Sequence, residues 1–496
     1  MTPPALMARA PRATAASRHV GVSACALLML VTGLSLLLVG VSTWHLATLV
    51  AALFISYGGA WAWCAADFAR RYVLAVFLAP FGLFLLARIG TYLLVDGSQL
   101  RLGILGTNFT DELLVGQMLA VLTTSLIALI AGASLLSAGG KRGSDARSRR
   151  PAPARVRVVA LTIFYVAIPF VALQALLLAR SGQTSGFYEA RLAVGLMPAP
   201  LEFVAEMATP AFFAYLASVP ARRPAIFHSL VYLGVMGFTL ITWQRSSFVL
   251  GLLLVGLYWL HRHLTAPKGE RWVTLRYGLI AAIGGVALMG LLALLNTLRG
   301  RTRALGLPGG PAVDFLFDQG VSVNVIGYAI RYEGTLPHDR LYSFGQIIES
   351  IQAYLLPVFG GRGVGSGQTI ERAAEGHQLS HAISYLALGD DYLRGSGYGS
   401  SFVAELLVDG GILAVVLGSM AMGAMLMAAP RLLNGPYFVR LFVLALLYGV
   451  MFAPRGGFTQ FIVQALGTAF LAVYAMIAAT LVVTRHPDNR EAVATR

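Results

Sequence analysis

Long runs of apolar residues, separated by short polar segments, extend along almost the whole chain. Twelve of these runs approach or reach the length of about 17–25 residues with which a helix crosses the hydrocarbon core of a bilayer. They are 21–41, 45–66, 72–95, 112–138, 158–180, 203–219, 225–243, 247–261, 276–298, 402–428, 438–453 and 458–484. The pattern predicts an all-α, polytopic integral membrane protein with about twelve transmembrane helices.

The composition supports a membrane protein and argues against a nucleic-acid-binding one. Charged residues make up 12% of the chain, about half the share of a typical soluble domain. The net charge is +15, but the basic residues fall in short segments between apolar runs, as the positive-inside rule requires. Cys25 and Cys64 both lie inside apolar runs, so neither a disulfide framework nor a thiolate metal site is indicated.

The same rule gives an orientation and a division of the chain. With the N-terminus in the cytoplasm, every inward segment is basic, and we expect both termini to be cytoplasmic. The expected parts are an N-terminal tail (1–19), helices 1–9 (20–298), a large non-cytoplasmic loop (299–401), helices 10–12 (402–484) and a C-terminal tail (485–496). An amphipathic helix is expected within 344–358 of the loop, lying along the membrane surface.

Several arginines are expected on the non-cytoplasmic side, against the positive-inside trend. They are Arg245, Arg299, Arg301, Arg303 and Arg455. A guanidinium has a planar fork of donors that matches phosphate oxygens, so this group predicts an anion site, with a lipid-linked pyrophosphate as the best candidate. The alternative is that the arginines only snorkel to the interface or cap the ends of spans.

One further arginine, Arg88, lies inside the third predicted span. A charged residue at that depth is costly, so it lines a cavity or pairs with an acid. The candidate acids are Asp111, Glu112, Glu202 and Glu206, and the sequence does not choose between them.

Two histidines and one acid are the candidate catalytic residues. His377 and His381 are four residues apart, a spacing that puts both rings on one face if the segment is helical. No HExxH motif or third ligand accompanies them, so no metal is predicted. Either histidine is a candidate base for an acceptor hydroxyl, the alternative being a surface or supporting role. Glu405 lies one turn inside the tenth predicted span and is a second candidate base, a sugar ligand or the partner of an arginine.

Three segments carry a family resemblance. They are WQRSS (243–247), FDQGVSVNVIGYAIRYEG (317–334) and GHQLSHAISYLALGDDYLRGSGYGSSFVAELLVDGGILA (376–414). In this order they resemble the Wzy-type O-antigen polysaccharide polymerases, also called oligosaccharide repeat unit polymerases, which are relatives of the O-antigen ligases. The similarity is strongest over about 240–415.

The resemblance implies an enzyme at the periplasmic face of the bacterial inner membrane, which makes the loop 299–401 periplasmic. Such polymerases move a growing glycan from undecaprenyl pyrophosphate onto a newly flipped, lipid-linked repeat unit during lipopolysaccharide biosynthesis. The implied partners are the lipid-linked donor and acceptor, the bilayer, a chain-length regulator and other assembly proteins, with no nucleic acid and no cofactor. The resemblance also implies that Arg245 and the group Arg299, Arg301 and Arg303 bind the pyrophosphate. It implies that His377, His381 and Glu405 act on the acceptor.

The chemistry is consistent with this resemblance. Glycosyl transfer from a lipid pyrophosphate releases a polyanion, which pre-placed arginines stabilise, and the activated donor makes an ATP motif unnecessary. Two alternatives stay open: a ligase that moves lipid-linked glycan to another lipid acceptor, and a flippase or transporter. A transporter would favour internal repeats and charges deep in several spans, and no convincing repeat relates the two halves of the sequence.

Overall fold

The computed structural model describes residues 11–95, 102–138, 152–185, 196–242, 245–267, 270–274, 310–356, 365 and 367–483, with a few single positions between 284 and 291. All regular secondary structure in these ranges is helical. The helices are α1 (Pro11–Thr43), α2 (Leu46–Ala66), α3 (Phe68–Leu94, with a π-helical turn at Gly82–Leu86), α4 (Glu112–Ala138), α5 (Ala154–Ser185), α6 (Ala199–Glu206), α7 (Ala208–Ala217), α8 (Arg222–Phe238), α9 (Ser246–Thr265), α10 (Pro311–Gln319), α11 (Val323–Arg331), α12 (Gly345–Leu355), α13 (Ile370–Glu375), α14 (Leu379–Leu388), α15 (Asp390–Leu393), α16 (Phe402–Leu432), α17 (Tyr437–Val450), α18 (Gln460–Ala465) and α19 (Thr468–Val483).

Within the described ranges, nine helices are long and apolar enough to cross a membrane. They are Gly21–Thr43, Leu46–Ala66, Phe68–Leu94, Glu112–Ser137, Ala154–Ser181, Arg222–Thr242, Ser246–Thr265, Phe402–Leu432 and Tyr437–Arg455. Each corresponds to one of the twelve predicted spans. The chain is therefore a multi-pass, all-α membrane protein.

The other three predicted spans differ or fall outside the description. The run 203–219 is divided between α6 and α7 at Met207, because Pro210 has no N–H to donate to the carbonyl of Glu206 in a continuous helix. The run 458–484 is divided between α18 and α19 around Gly467. The run 276–298 lies almost entirely outside the described residues.

Helix α3 contains an irregularity just before Arg88. Pro80 lies inside the helix, and the π-helical turn Gly82–Leu86 follows it. The hydroxyl of Tyr57 donates to the carbonyl of Leu78 at 2.9 Å, and a Cβ at Gly82 would lie 2.2 Å from that hydroxyl. The missing proline donor and the wide turn change the register of the last turns of α3, which carry Arg88.

Helix α16 packs closely along α4. At Gly132 and Gly423 a Cβ would come within 2.0 and 1.9 Å of a backbone oxygen of the facing helix, so only glycine permits this approach. The hydroxyls of Ser125 and Ser419 are 2.8 Å apart across the same interface. Small residues and an interhelical hydrogen bond are typical of helix pairs in membranes, and this pair fixes the position of α16.

The two ends of the bundle differ in character. At one end, arginines donate to backbone carbonyls of neighbouring segments: Arg431 donates to the carbonyl of Leu136 at 3.2 Å and Arg262 donates to that of Pro220 at 3.0 Å. The other end, where α10 to α15 lie, is called the loop end below. The expected amphipathic helix in 344–358 is present there as α12, and Ile351 and Tyr354 are 51% and 60% exposed on it.

Candidate active site at the loop end

The side chain of Arg88 packs against helix α10. Its Cζ lies 4.1 Å from the ring centroid of Phe317, within the range of a cation–π contact. Its Nε donates to the carbonyl of Gly106 at 2.5 Å. The side chain is only 6% exposed, so this arginine belongs to the interior of the loop end.

Arg245 and Arg455 approach the same helix from other elements. The Cζ of Arg245, at the start of α9, lies 5.7 Å from the ring centroid of Phe315. Arg455, in the turn after α17, donates from Nη1 to the carbonyl of Gln319 at 3.4 Å, and its Cζ lies 5.5 Å from the ring of Phe84. Three guanidiniums, those of Arg88, Arg245 and Arg455, therefore meet around α10; they are called the arginine cluster below.

One acid on α10 balances part of this charge. Asp318 acts electrostatically on both Arg88 and Arg245. Burial lowers the pKa of Arg245, and the negative charge of Asp318 opposes that change. A guanidinium starts from so high a pKa that it stays cationic. Asp318 is therefore the acid that acts on Arg88, rather than one of the four that the sequence suggested.

The local sequence explains how α10 reaches the arginines. Gly310 has φ +76° and Pro311 occupies the first turn, where its missing N–H costs nothing. At the other end of the helix, a Cβ on Gly320 would lie 2.3 Å from the backbone nitrogen of Arg88. A glycine is needed at this contact, and it brings the end of α10 directly onto α3.

Glu405 is anchored to the turn that carries Arg455. Its carboxylate is 3% exposed and accepts from the hydroxyl of Ser400 and from the backbone N–H of Phe458, both at 2.7 Å. A Cβ on Gly457 would lie 3.0 Å from Oε1 of Glu405. These hydrogen-bond partners are a hydroxyl and a backbone amide, whereas one of the three alternatives that the sequence left open for Glu405 was pairing with an arginine.

A second acid on α16, Asp409, ties the large loop to this region. Its carboxylate accepts from the backbone N–H of Tyr342 at 2.8 Å and from that of Ser343 at 2.7 Å. The hydroxyl of Thr459 donates to the carbonyl of Ser343 at 2.8 Å. The loop, the start of α16 and the turn after α17 are thus held as one unit.

His377 lies close to this unit. Its backbone N–H donates to Glu349 at 2.8 Å, and the amides of Gln346 and Gln378 are joined at 2.8 Å. The side chain of Gln346 in turn contacts the region of Gly457, 3.5 Å from a Cβ built there. Among the described residues, Nδ1 of His377 is buried and has no hydrogen-bond partner.

His381 has a different environment. Its Nδ1 is 2.8 Å from the hydroxyl of Tyr392, and burial, together with the charge of Arg372, lowers its pKa to about 4. An imidazole with so low a pKa is neutral but weakly basic near pH 7. Helix α14 begins at Leu379, so the expectation that both histidines share a helical face is wrong, because His377 precedes the helix.

The structure therefore brings together some of the predicted site residues. Arg245 and Arg455 lie in the arginine cluster, and Glu405 is linked to that cluster through the turn 453–459. Arg299, Arg301 and Arg303 lie outside the described residues. In the part of the chain that is described, no three His, Cys, Asp or Glu side chains come together to hold a metal ion.

Comparison with known proteins decides the family. A family model described as O-antigen polysaccharide polymerase Wzy matches residues 24–485, which is nearly the whole chain. The chain belongs to this family. Wzy polymerases work on lipid-linked glycans in the membrane, and the resemblance seen over about 240–415 is confirmed. Neither the curated proteins nor the solved structures contain a match.

Sequence reasoning missed two residues of this candidate site. Asp318 and Asp409 do not stand out along the chain, because each follows or ends an apolar stretch of a loop or a span. The signal for Asp318 is the run FDQG (317–320) within the family segment, where an acid is placed between an aromatic residue and a glycine. Asp409 just precedes the pair Gly410–Gly411, where α16 is broken.

Proposed function

We propose that this Wzy family member polymerises undecaprenyl-pyrophosphate-linked oligosaccharide repeat units at the periplasmic face of the bacterial inner membrane. The observation that carries this proposal is the convergence of Arg88, Arg245 and Arg455 on α10. Three buried or half-buried guanidiniums that approach one helix carry the positive charge that a pyrophosphate needs, and the fork of N–H donors on each guanidinium matches phosphate oxygens.

The arginine cluster acts on the leaving group. As the bond between the anomeric carbon and the pyrophosphate oxygen breaks, negative charge grows on the departing lipid pyrophosphate. Guanidiniums that are already in place stabilise this charge without reorganisation, and removing one such donor typically costs about 100-fold or more in rate. The surrounding rings of Phe84, Phe315 and Phe317 exclude water and strengthen the interaction.

The acceptor hydroxyl is activated by His377. Its unpartnered Nδ1 takes the hydroxyl proton while the acceptor oxygen forms the new bond to the anomeric carbon. Glu405 supports the same step by fixing the turn 453–459, and His381 holds Tyr392. The reaction needs no nucleotide, because the donor carries its own leaving group.

The proposed orientation follows from this chemistry. The loop end faces the periplasm, the segment 299–401 forms the large periplasmic loop, and both termini lie in the cytoplasm. The runs 203–219, 276–298 and 458–484 complete twelve crossings in this arrangement. The opposite end, with Arg262 and Arg431, then satisfies the positive-inside rule.

A gel of surface glycan tests the proposal. A strain lacking this protein is complemented with wild type, with Arg245→Ala, or with the matched control Arg431→Ala at the opposite end of the bundle. We expect acceptors carrying a single repeat unit in the deletion strain and in Arg245→Ala, and a full ladder with wild type and Arg431→Ala. Acceptors with no repeat at all in the deletion strain would contradict the proposal and support a ligase or a flippase.

A further inference from the structure

Three tyrosines form a cluster beside Arg88. The rings of Tyr328 and Tyr332 are nearly parallel, with centroids 6.0 Å apart and an interplanar angle of 10°. The ring of Tyr398 lies against Tyr328 with a centroid distance of 4.9 Å. Tyr328 is 8% exposed and lies at the bottom of the cluster. Tyr332 and Tyr398 are half-buried, so part of each ring is open to solvent.

The polar atoms of the cluster converge on one amide. The hydroxyl of Tyr328 donates to that of Tyr398 at 3.2 Å. Asn108 donates from Nδ2 to Tyr328 at 3.1 Å and to Tyr398 at 3.4 Å, and its backbone N–H donates to Asn324 at 3.2 Å. Asn108 is exposed, so this network ends at the surface rather than inside the core.

The cluster lies between the surroundings of Arg88 and helix α14. Gly106, whose carbonyl binds Arg88, is two residues from Asn108. Burial raises the pKa of Tyr398, and the positive charge of Arg88 opposes the rise, so the guanidinium acts electrostatically on this phenol. On the other side, the backbone N–H of Tyr398 donates to the hydroxyl of Ser384 at 3.1 Å, on the helix that carries His381.

We propose that Tyr332, Tyr398 and Asn108 form the subsite for the sugar residue attached to the pyrophosphate. This inference rests on the proposed function, because it takes the arginine cluster as the pyrophosphate site. A sugar ring presents an apolar face of C–H groups and a rim of hydroxyls. Half-buried aromatic rings beside a few convergent polar groups are the typical lining of a small-molecule site. The amide oxygen of Asn108 is an acceptor for a sugar hydroxyl.

The exposure of Asn108 favours a ligand over a purely structural role. An amide that served only to bind the hydroxyls of Tyr328 and Tyr398 would gain most by being shielded with Tyr328, because a solvated hydrogen bond adds little stability. Asn108 instead keeps its outer surface open. The two tyrosine hydroxyls already bind each other, so truncating Asn108 leaves them paired and disturbs the fold little.

A binding experiment tests the subsite apart from the reaction. The probe is the free oligosaccharide repeat unit, released from the lipid pyrophosphate by mild acid, and its Kd is measured with purified protein in nanodiscs. We expect Tyr398→Leu and Asn108→Ala each to weaken binding about tenfold or more, equivalent to about 1.4 kcal/mol. Tyr398→Phe keeps the ring and should retain most of the affinity. Tyr354→Leu, an exposed tyrosine of the same loop, is the matched control.

The outcomes separate the subsite from the proposed function. Equal glycan affinity in wild type, Tyr398→Leu and Asn108→Ala would overturn the subsite even if the ladder on the gel depends on Arg245. Weakened glycan binding in both variants, with an unchanged ladder in Arg245→Ala, would support the subsite and overturn the pyrophosphate assignment. If Tyr398→Leu fails to fold, Asn108→Ala decides, since it removes no aromatic ring.

Discussion

At the scale of single residues, the site depends on how the contacts of each arginine orient its guanidinium. A guanidinium carries five N–H donors in a fixed fork. Arg88 uses its Nε for the carbonyl of Gly106 and stacks on Phe317, an arrangement that fixes the plane of the group. An arginine that is held in this way is pre-organised, and less entropy is lost when phosphate oxygens bind.

Replacing Arg455 by lysine separates charge from geometry. Arg455→Lys keeps the positive charge but loses the planar fork and the reach to both Gln319 and a phosphate oxygen. We expect the rate of chain growth to fall about tenfold or more, and Arg455→Ala to lower it further. The measurement is the initial rate with reconstituted protein, with Arg431→Lys as the control. An Arg455→Lys variant as active as wild type would show that bidentate binding is not needed there.

The two histidines are expected to behave differently. His377→Gln removes the unpartnered Nδ1 and should lower the rate about 100-fold or more, the usual contribution of a general base. His381→Gln should lower it much less, because an imidazole with a pKa near 4 contributes little basicity near pH 7. Rates for both variants, measured from pH 6 to 8, check this. A larger loss of rate in His381→Gln than in His377→Gln would show that His381, and not His377, is the base.

At the scale of elements, helix α16 is two segments joined at a glycine pair. Gly411 has φ +59° and ψ −152°, a conformation that is essentially confined to glycine. The break separates the first two turns, which carry Glu405 and Asp409, from the segment that packs on α4. The short segment can therefore bind the loop and the turn 453–459 without following the direction of the transmembrane part.

Replacing Gly411 by alanine tests the importance of this break. The added Cβ meets no neighbouring atom, so the cost comes from the backbone alone, about 1–3 kcal/mol. We expect Gly411→Ala to lower both the melting temperature and the rate of chain growth. Gly256→Ala is the matched control, because Gly256 is helical and also has open space around it. Unchanged melting and activity in Gly411→Ala would mean that the break is incidental.

At the scale of the whole molecule, the bundle was largely predictable and the site only in part. Hydropathy located nine spans because each helix must satisfy its backbone in lipid. The division at Met207 required attention to Pro210, which the length criterion ignores. The outward arginines stand out because they oppose the positive-inside trend, but the electrostatic effect of Asp318 on Arg88 depends on how α10 folds back onto α3. Helices α3 and α10 are more than 200 residues apart along the chain, and a contact between them produces no periodic pattern in a single sequence.

Reconstitution provides the most direct test of the central claim. The purified protein is placed in nanodiscs with a lipid-pyrophosphate-linked repeat unit as its only glycan, and product length is measured over time. We predict that wild type forms chains of several repeats without any nucleotide, and that Arg245→Ala leaves single repeats unjoined. No chain growth with folded wild type, or equal growth with Arg245→Ala, would contradict a polymerase in which the arginine cluster holds the pyrophosphate.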